Sequence, residues 1–118
     1  MKVLLVDDDP TIQLIARRGL AKQGFDVTVA GDGHEALRLV EQDQPDFVVL
    51  DWQMPGLDGP DVCRALKANP RVAHIPVVFL TAQDSATEEA MAVGAAGIVR
   101  KPFDPRDLGA KVLALLSA

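Results

Sequence analysis

The chain has 118 residues, of which 48% are hydrophobic and 25% are charged, and its formal net charge is −5. This length fits one domain over residues 1–118, and the composition is that of a globular protein rather than a disordered one. A single cysteine excludes an intramolecular disulfide, the scattered basic residues argue against direct nucleic-acid binding, and no apolar stretch is long enough to cross a membrane. We therefore expect a cytoplasmic protein that is neither secreted nor embedded in a membrane.

Short apolar runs alternate with segments of helical periodicity along the whole chain, which predicts an α/β fold of five strand–helix units. The predicted elements are strand 2–7, helix 10–23, strand 26–30, helix 33–43, strand 46–51, helix 59–68, strand 76–81, helix 84–93, strand 97–100 and helix 105–117. Nearly continuous apolar strands such as 47–50 suit a parallel sheet that helices cover on both faces. The second strand alternates more between polar and apolar residues, so we expect it at an edge.

Polar side chains lie where four of the predicted strands end. Asp7 and Asp8 end the first strand, Asp51 the third and Thr81 the fourth, and Lys101 follows the fifth. Because an open α/β sheet binds ligands outside the carboxyl ends of its strands, we expect these side chains to face one crevice. Three carboxylates so close together repel one another unless a cation lies between them or one of them is protonated.

Magnesium is the cation that such hard oxygen ligands favour, and it commonly takes one or two carboxylates together with phosphate oxygens. A phosphoryl group is therefore an expected further ligand, which Lys101 can neutralise and the hydroxyl of Thr81 can hydrogen-bond. One carboxylate can also act as a nucleophile, and Asp51 is favoured because it is central. If the strand order is 2-1-3-4-5, Asp7 and Asp8 lie beside Asp51 at the point where the strand order reverses.

Four motifs occur in order along the chain: Val6-Asp7-Asp8, the segment 50–59, Leu80-Thr81-Ala82 and Lys101-Pro102-Phe103. With these motifs the whole chain resembles the receiver domain of two-component response regulators. The resemblance implies a flavodoxin-like, doubly wound (βα)5 fold with a five-stranded parallel sheet in the order 2-1-3-4-5. It fits both a stand-alone receiver of the chemotaxis type and the receiver module of a longer regulator.

The resemblance also implies a role for each acidic residue. Asp51 would accept a phosphoryl group from a sensor histidine kinase or a phosphotransfer protein, with Mg²⁺, or Mn²⁺ in its place, as cofactor. Asp8 would be the principal acidic metal ligand and Asp7 would act through water, while Asp51 and the backbone carbonyl of Gln53 would complete the protein ligands. Trp52, next to Asp51, is expected to be a partly exposed surface or wall residue that serves chiefly as a fluorescent reporter.

Thr81 and Lys101 would, by the same resemblance, bind phosphoryl oxygens, and the Lys101–Pro102 bond would be cis. The chain would then be a signalling switch rather than an enzyme, since it catalyses only its own phosphoryl transfer and dephosphorylation. Its output would be a changed protein-binding face, read by a downstream protein target or a fused effector domain. We expect a monomer or a weak homodimer that depends on phosphorylation.

Three further positions modify this interpretation. Gln53 and Gln83 lie two residues beyond Asp51 and Thr81, where members of the family tune the access of water to the acyl phosphate, so we expect them to set the dephosphorylation rate. Ile98 occupies the switch position, where the family has an aromatic residue. Because isoleucine has no hydroxyl, it can change rotamer but cannot form a hydrogen bond.

Other classes of protein fit less well. An aspartyl-phosphate phosphatase would resemble this chain at the nucleophile, but such enzymes carry a second acid two residues later, where Gln53 cannot act as a general acid. A flavin-binding carrier would need a phosphate loop rich in hydroxyls and glycine, where this chain has residues 7–10, and the chain has no tyrosine to stack on the ring. A phosphate-independent interaction module with the same fold is the main alternative, because of Ile98.

Overall fold

Strands and helices alternate along the chain as the sequence predicts. The structure, a computed structural model, describes residues 1–83 and 86–117. Its elements are β1 Lys2–Val6, α1 Pro10–Lys22, β2 Asp26–Ala30, α2 Gly33–Asp43, β3 Phe47–Asp51, α3 Gly59–Ala68, β4 Val77–Thr81, α4 Ala86–Ala92, β5 Gly97–Arg100 and α5 Pro105–Leu116. Several predicted elements extend one residue further at an end, where the chain already turns into a loop. The first two residues of the predicted helix 84–93 lie outside the described residues.

The strands form one parallel sheet in the order β2-β1-β3-β4-β5, so the predicted flavodoxin-like topology is confirmed. Strand β2 lies at an edge, as its alternating pattern predicts. The register pairs Val6 with Leu50, Asp51 with Leu80, and Thr81 with Arg100. The carboxyl ends of β1, β3, β4 and β5 therefore lie side by side.

Two apolar layers cover the two faces of the sheet. One contains buried residues of α2, α3 and α4, and the other contains buried residues of α1 and α5. Alternate residues of each central strand enter opposite layers, which explains the nearly continuous apolar runs. The helical residues of the first layer are Ala36, Val40, Val62, Cys63, Leu66, Ala86 and Ala90, and those of the second are Ala16, Leu20, Leu108 and Val112.

The start of helix α3 is packed directly against the end of β3. Asp58 and Asp61 form a reciprocal capping box that fixes this start, and the Gly59 N–H donates to the Trp52 carbonyl at 3.1 Å. A Cβ atom at Gly59 would overlap the carbonyl oxygen of Asp51. Glycine is therefore needed here for the close approach that holds the end of β3 in place.

Among the described residues, no helix has both the length and the apolar character needed to span a membrane.

Candidate functional site

The three predicted carboxylates meet at the carboxyl edge of the sheet. Oxygen atoms of Asp7, Asp8 and Asp51 all lie within 4.8 Å of one another. Asp7 and Asp51 are buried, with 1% and 5% of their surface exposed, whereas Asp8 is exposed. A cluster of hard oxygen atoms with one open side suits a divalent cation such as Mg²⁺.

Asp7 is held firmly but is not neutralised. Its N–H donates to the Ala30 carbonyl at 3.2 Å, and its Oδ1 accepts a hydrogen bond from the Asp9 N–H at 2.9 Å. Within the described residues, its buried Oδ2 accepts no hydrogen bond. Burial, followed by the charges of Asp51 and Asp8, raises the pKa of Asp7 from 3.8 to about 6 against the opposing effects of the Asp9 N–H and a nearby lysine. The site therefore has an excess of negative charge.

Lys101 supplies the cation that faces this cluster. Its Nζ donates to Asp51 Oδ1 at 2.8 Å and lies 3.6 Å from Asp7 Oδ2. Burial lowers the pKa of Lys101, but the hydrogen bond and charge of Asp51 and the charge of Asp7 outweigh burial and raise it. The side chain therefore remains an ammonium. The Lys101–Pro102 peptide bond is cis, as the resemblance implied.

Thr81 and the two glutamines complete a small cavity above Asp51. The buried Thr81 Oγ1 accepts a hydrogen bond from the Gln83 N–H at 3.0 Å, while the Gln53 and Gln83 residues are exposed. The cavity has a volume of about 140 Å³, room for a few water molecules. It is lined by Asp51, Trp52, Gln53, Thr81, Ala82, Gln83 and Lys101.

Trp52 is more buried than expected, and Ile98 lies away from the carboxylates. Trp52 lines the wall of the cavity above Asp51, but it is buried rather than partly exposed. Only 7% of its surface is accessible, and its ring packs edge-on against Phe79 at 4.8 Å between centroids. Ile98 is half-buried and pairs with Phe79 across β4 and β5. It lines a groove formed by β5 and α5 instead of the crevice.

An apolar groove beside the site was not predicted. It has a volume of about 380 Å³ and shares Ala82 and Lys101 with the cavity above Asp51. Ile12 and Ile15 lie on the apolar side of α1, but both are only half-buried. The groove is lined by Ile12, Ile15, Ala82, Lys101, Pro102 and Phe103.

Comparison with known proteins decides the family, because the response regulator receiver domain model matches residues 3–113. The chain belongs to the response regulator receiver domain family. The DNA-binding response regulator MtrA of Mycolicibacterium smegmatis is 41% identical to it over 117 residues, which are 98% of this chain and 50% of that protein. The alkaline phosphatase synthesis transcriptional regulatory protein PhoP of Bacillus subtilis is 38% identical, over 98% of this chain and 48% of that protein. The chain thus spans about half the length of these curated relatives.

Solved structures agree with this assignment. The chemotaxis protein CheY4 of Vibrio cholerae matches with a TM-score of 0.90 and 32% identity, over 97% of both chains. The receiver domain of the Francisella response regulator 1452 matches with a TM-score of 0.87 and 36% identity, over 98% of this chain and 96% of that one. The family to which the sequence motifs pointed is confirmed, and its members are signalling proteins of two-component systems rather than classical enzymes.

Proposed function

We propose that this chain is a phosphorylation-dependent switch in which Asp51 accepts a phosphoryl group from a sensor histidine kinase or a phosphotransfer protein. The observation that carries the proposal is the position of the Asp51 carboxylate. It lies in a small cavity, within 4.8 Å of two further carboxylates and 2.8 Å from the Lys101 ammonium. A carboxylate in such a setting is a suitable nucleophile toward phosphorus.

The acidic cluster fits the magnesium ion that the family uses, because a buried carboxylate oxygen of Asp7 lacks a hydrogen bond within the described residues. Asp8, Asp51 and the backbone carbonyl of Gln53 would hold Mg²⁺, with Asp7 acting through water. The ion would offset the repulsion between the carboxylates and an incoming phosphoryl group. Mn²⁺ accepts the same oxygen ligands and would substitute for it.

Transfer forms a bond from an Asp51 oxygen to phosphorus and breaks the bond from phosphorus to the histidine nitrogen of the donor. The Lys101 ammonium donates a hydrogen bond to Asp51 Oδ1, and after transfer it would donate to a negatively charged phosphoryl oxygen instead. The Thr81 hydroxyl accepts from Gln83 and still has its own proton to donate to another phosphoryl oxygen. Attack by water later returns the carboxylate and inorganic phosphate.

The apolar groove beside the crevice supports a protein as the donor. Ile12, Ile15 and Phe103 give a partner an apolar surface that continues to Lys101 at the edge of the site. A histidine carried on such a partner would reach Asp51 from this side.

The output would be read on the face formed by α4, β5 and α5. Movement of Thr81 toward the phosphoryl group would shift the loop that leads to α4, and a change of rotamer at Ile98 would transmit the shift to β5. The chain, acting as one domain over residues 1–118, would then present this face to a downstream protein or a fused effector domain. A monomer or a weak, phosphorylation-dependent homodimer is consistent with this output.

Gln53 and Gln83 line the mouth of the cavity through which water must reach the acyl phosphate. We expect Gln53→Ala and Gln83→Ala to change the lifetime of phosphorylated Asp51 more than the rate at which it forms. Radiolabel decay after removal of the donor measures that lifetime, and an unchanged lifetime in both variants would exclude the tuning role.

Intact mass after incubation with acetyl phosphate tests the central proposal. The wild type should gain one phosphoryl group with Mg²⁺ and none with EDTA, and Asp51→Asn should gain none. Asp107→Asn, the same exchange at an exposed position of α5, should behave as wild type. If the wild type gains nothing even after rapid quenching, a phosphate-independent interaction module becomes the better interpretation.

A further inference from the structure

The side chain of Gln13 connects helix α1 to the loop that carries two of the three carboxylates. Its Nε2 donates a hydrogen bond of 2.6 Å to the backbone carbonyl oxygen of Asp7. Gln13 is half-buried, and its own N–H donates to the Asp9 carbonyl at 2.9 Å in the first turn of the helix. The residue therefore ties the main chain of the β1–α1 loop to the helix from two sides.

Asp8 is the residue on which this connection acts. The Asp7 side chain is held by the Asp9 N–H, whereas within residues 1–83 and 86–117 no hydrogen bond or ion pair holds the exposed Asp8 carboxylate. The direction of that carboxylate therefore depends on the backbone that carries it. Because a peptide unit is planar, fixing the Asp7 carbonyl also fixes the plane that leads into Asp8.

The geometry points to Gln13 as a positioning residue for the metal site, acting on Asp8 through the Asp7–Asp8 peptide. This inference rests on the proposed function, in which Asp8 is a principal ligand of Mg²⁺. Gln13 does not touch the reacting atoms, since its amide binds the main chain of Asp7. Its Nε2 also lies 3.8 Å from the position a Cβ of Gly31 would take, so the amide sits between the β1–α1 and β2–α2 loops.

The Gln13→Met variant isolates this hydrogen bond. Methionine matches glutamine in length and in helix propensity but has no N–H to donate. We expect the affinity for Mg²⁺ to fall about tenfold, as is typical when a residue that orients a metal ligand is lost. Calorimetric titration with Mg²⁺ and the fluorescence of Trp52, the neighbour of Asp51, would both measure the affinity without phosphorylation.

Kinetics separate positioning from a general structural defect. With acetyl phosphate, Gln13→Met should need more Mg²⁺ for half-maximal phosphorylation but should reach the wild-type rate when Mg²⁺ is saturating. Gln42→Met, the same exchange on the exposed face of α2, should leave the affinity for Mg²⁺ unchanged. Gln13→Ala also lacks the donor and keeps a high helix propensity, so it repeats the measurement if the methionine variant folds poorly.

The measurements distinguish a failure of the positioning role of Gln13 from a failure of the proposed function. Wild-type affinity for Mg²⁺ in folded Gln13→Met or Gln13→Ala, with or without lower stability, would overturn the positioning role and leave the proposed function intact. A wild-type chain that binds no Mg²⁺ would overturn the metal site itself, and the positioning role with it.

Discussion

Lys67 and Lys101 are half-buried lysines that lie at opposite ends of the sheet. The Lys67 ammonium donates to the carbonyl oxygens of Ala73 and Ile75, at 3.0 and 2.9 Å, in the loop that leads into β4. The Lys101 ammonium instead faces the charged carboxylates at the other end, and it is one cation against a cluster of three. The first lysine closes a loop with neutral partners, whereas the second leaves its surroundings negatively charged.

This difference shows which end of the sheet carries an uncompensated electrostatic cost. The carbonyl oxygens that accept hydrogen bonds from Lys67 carry no net charge. This contact therefore leaves no negative charge for a further cation to neutralise. Asp7, by contrast, is buried with its Oδ2 lacking a hydrogen bond within the described residues, and burial raises its pKa. A further cation would compensate the carboxylates at pH 7. We therefore expect substitutions in the charged cluster to lower or to raise stability, depending on whether they remove the cation or a carboxylate, and a substitution at Lys67 only to lower it.

Lys101→Met should have the largest effect, because it removes the cation and leaves Asp7 and Asp51 buried and uncompensated. Breaking a buried ion pair in this way costs about 3–5 kcal/mol of the free energy of unfolding. Phosphorylation by acetyl phosphate should also slow by about 100-fold, since the phosphoryl oxygens lose their cation. Urea unfolding at pH 7 in EDTA measures the first effect and intact mass measures the second. A free energy of unfolding close to that of the wild type would show that Lys101 does not neutralise the cluster.

Asp7→Asn should change stability in the opposite direction in the absence of metal. The pKa of Asp7 rises from 3.8 in the unfolded chain to about 6 in the folded one, chiefly through burial. The unfolded chain therefore loses this proton first, and wild-type stability falls as pH increases from about 4 to about 6. At 1.36 kcal/mol for each pKa unit, the asparagine variant should gain about 3 kcal/mol at pH 7.

Unfolding curves of both proteins in EDTA at pH 4 and pH 7 measure this gain. The stability difference between Asp7→Asn and wild type should be small at pH 4 and constant above about pH 6. Adding Mg²⁺ should raise the melting temperature of the wild type and raise that of the variant much less. A variant that is less stable than the wild type at pH 7 in EDTA would contradict the electrostatic cost assigned to Asp7.

The sequence was sufficient for the topology and for the cluster, because both follow from where the strands end. Asp51 and Thr81 are the last residues of β3 and β4, and a parallel sheet places such residues side by side. The burial of Trp52 could not be predicted. Trp52 is the first residue after β3, where the strand rule that successive side chains point to opposite faces no longer applies. Its contact with Phe79 depends on the path of the chain into α3.

The apolar groove and the role of Gln13 could not be predicted from the sequence either, for two different reasons. Periodicity identifies Ile12 and Ile15 as the apolar side of α1, but it does not show that both side chains stay half-buried and line a groove. A polar residue such as Gln13 has many possible partners on a helix. Only the position of the Asp7 carbonyl selects one of them.

Lys67→Met should have the smallest of the three effects and should not reach the site. The methionine keeps the apolar stem that packs beside Gly94, but the carbonyl oxygens of Ala73 and Ile75 lose their donor. The loss of a hydrogen-bonding partner costs about 1–3 kcal/mol, and the only partly buried setting of both hydrogen bonds favours the lower part of that range.

Urea unfolding should show this loss for Lys67→Met while Mg²⁺ affinity and phosphorylation stay at wild-type values. Arg64→Met, on the same helix, is a suitable control because Arg64 is exposed and pairs with Asp61 at 3.3 Å on the surface. Such a surface pair contributes less than about 1 kcal/mol, so the control should unfold close to the wild type. If Lys67→Met instead weakened Mg²⁺ binding, the two ends of the sheet would be energetically coupled. The hydrogen bonds of Lys67 and the charged cluster around Lys101 could then not be treated as independent.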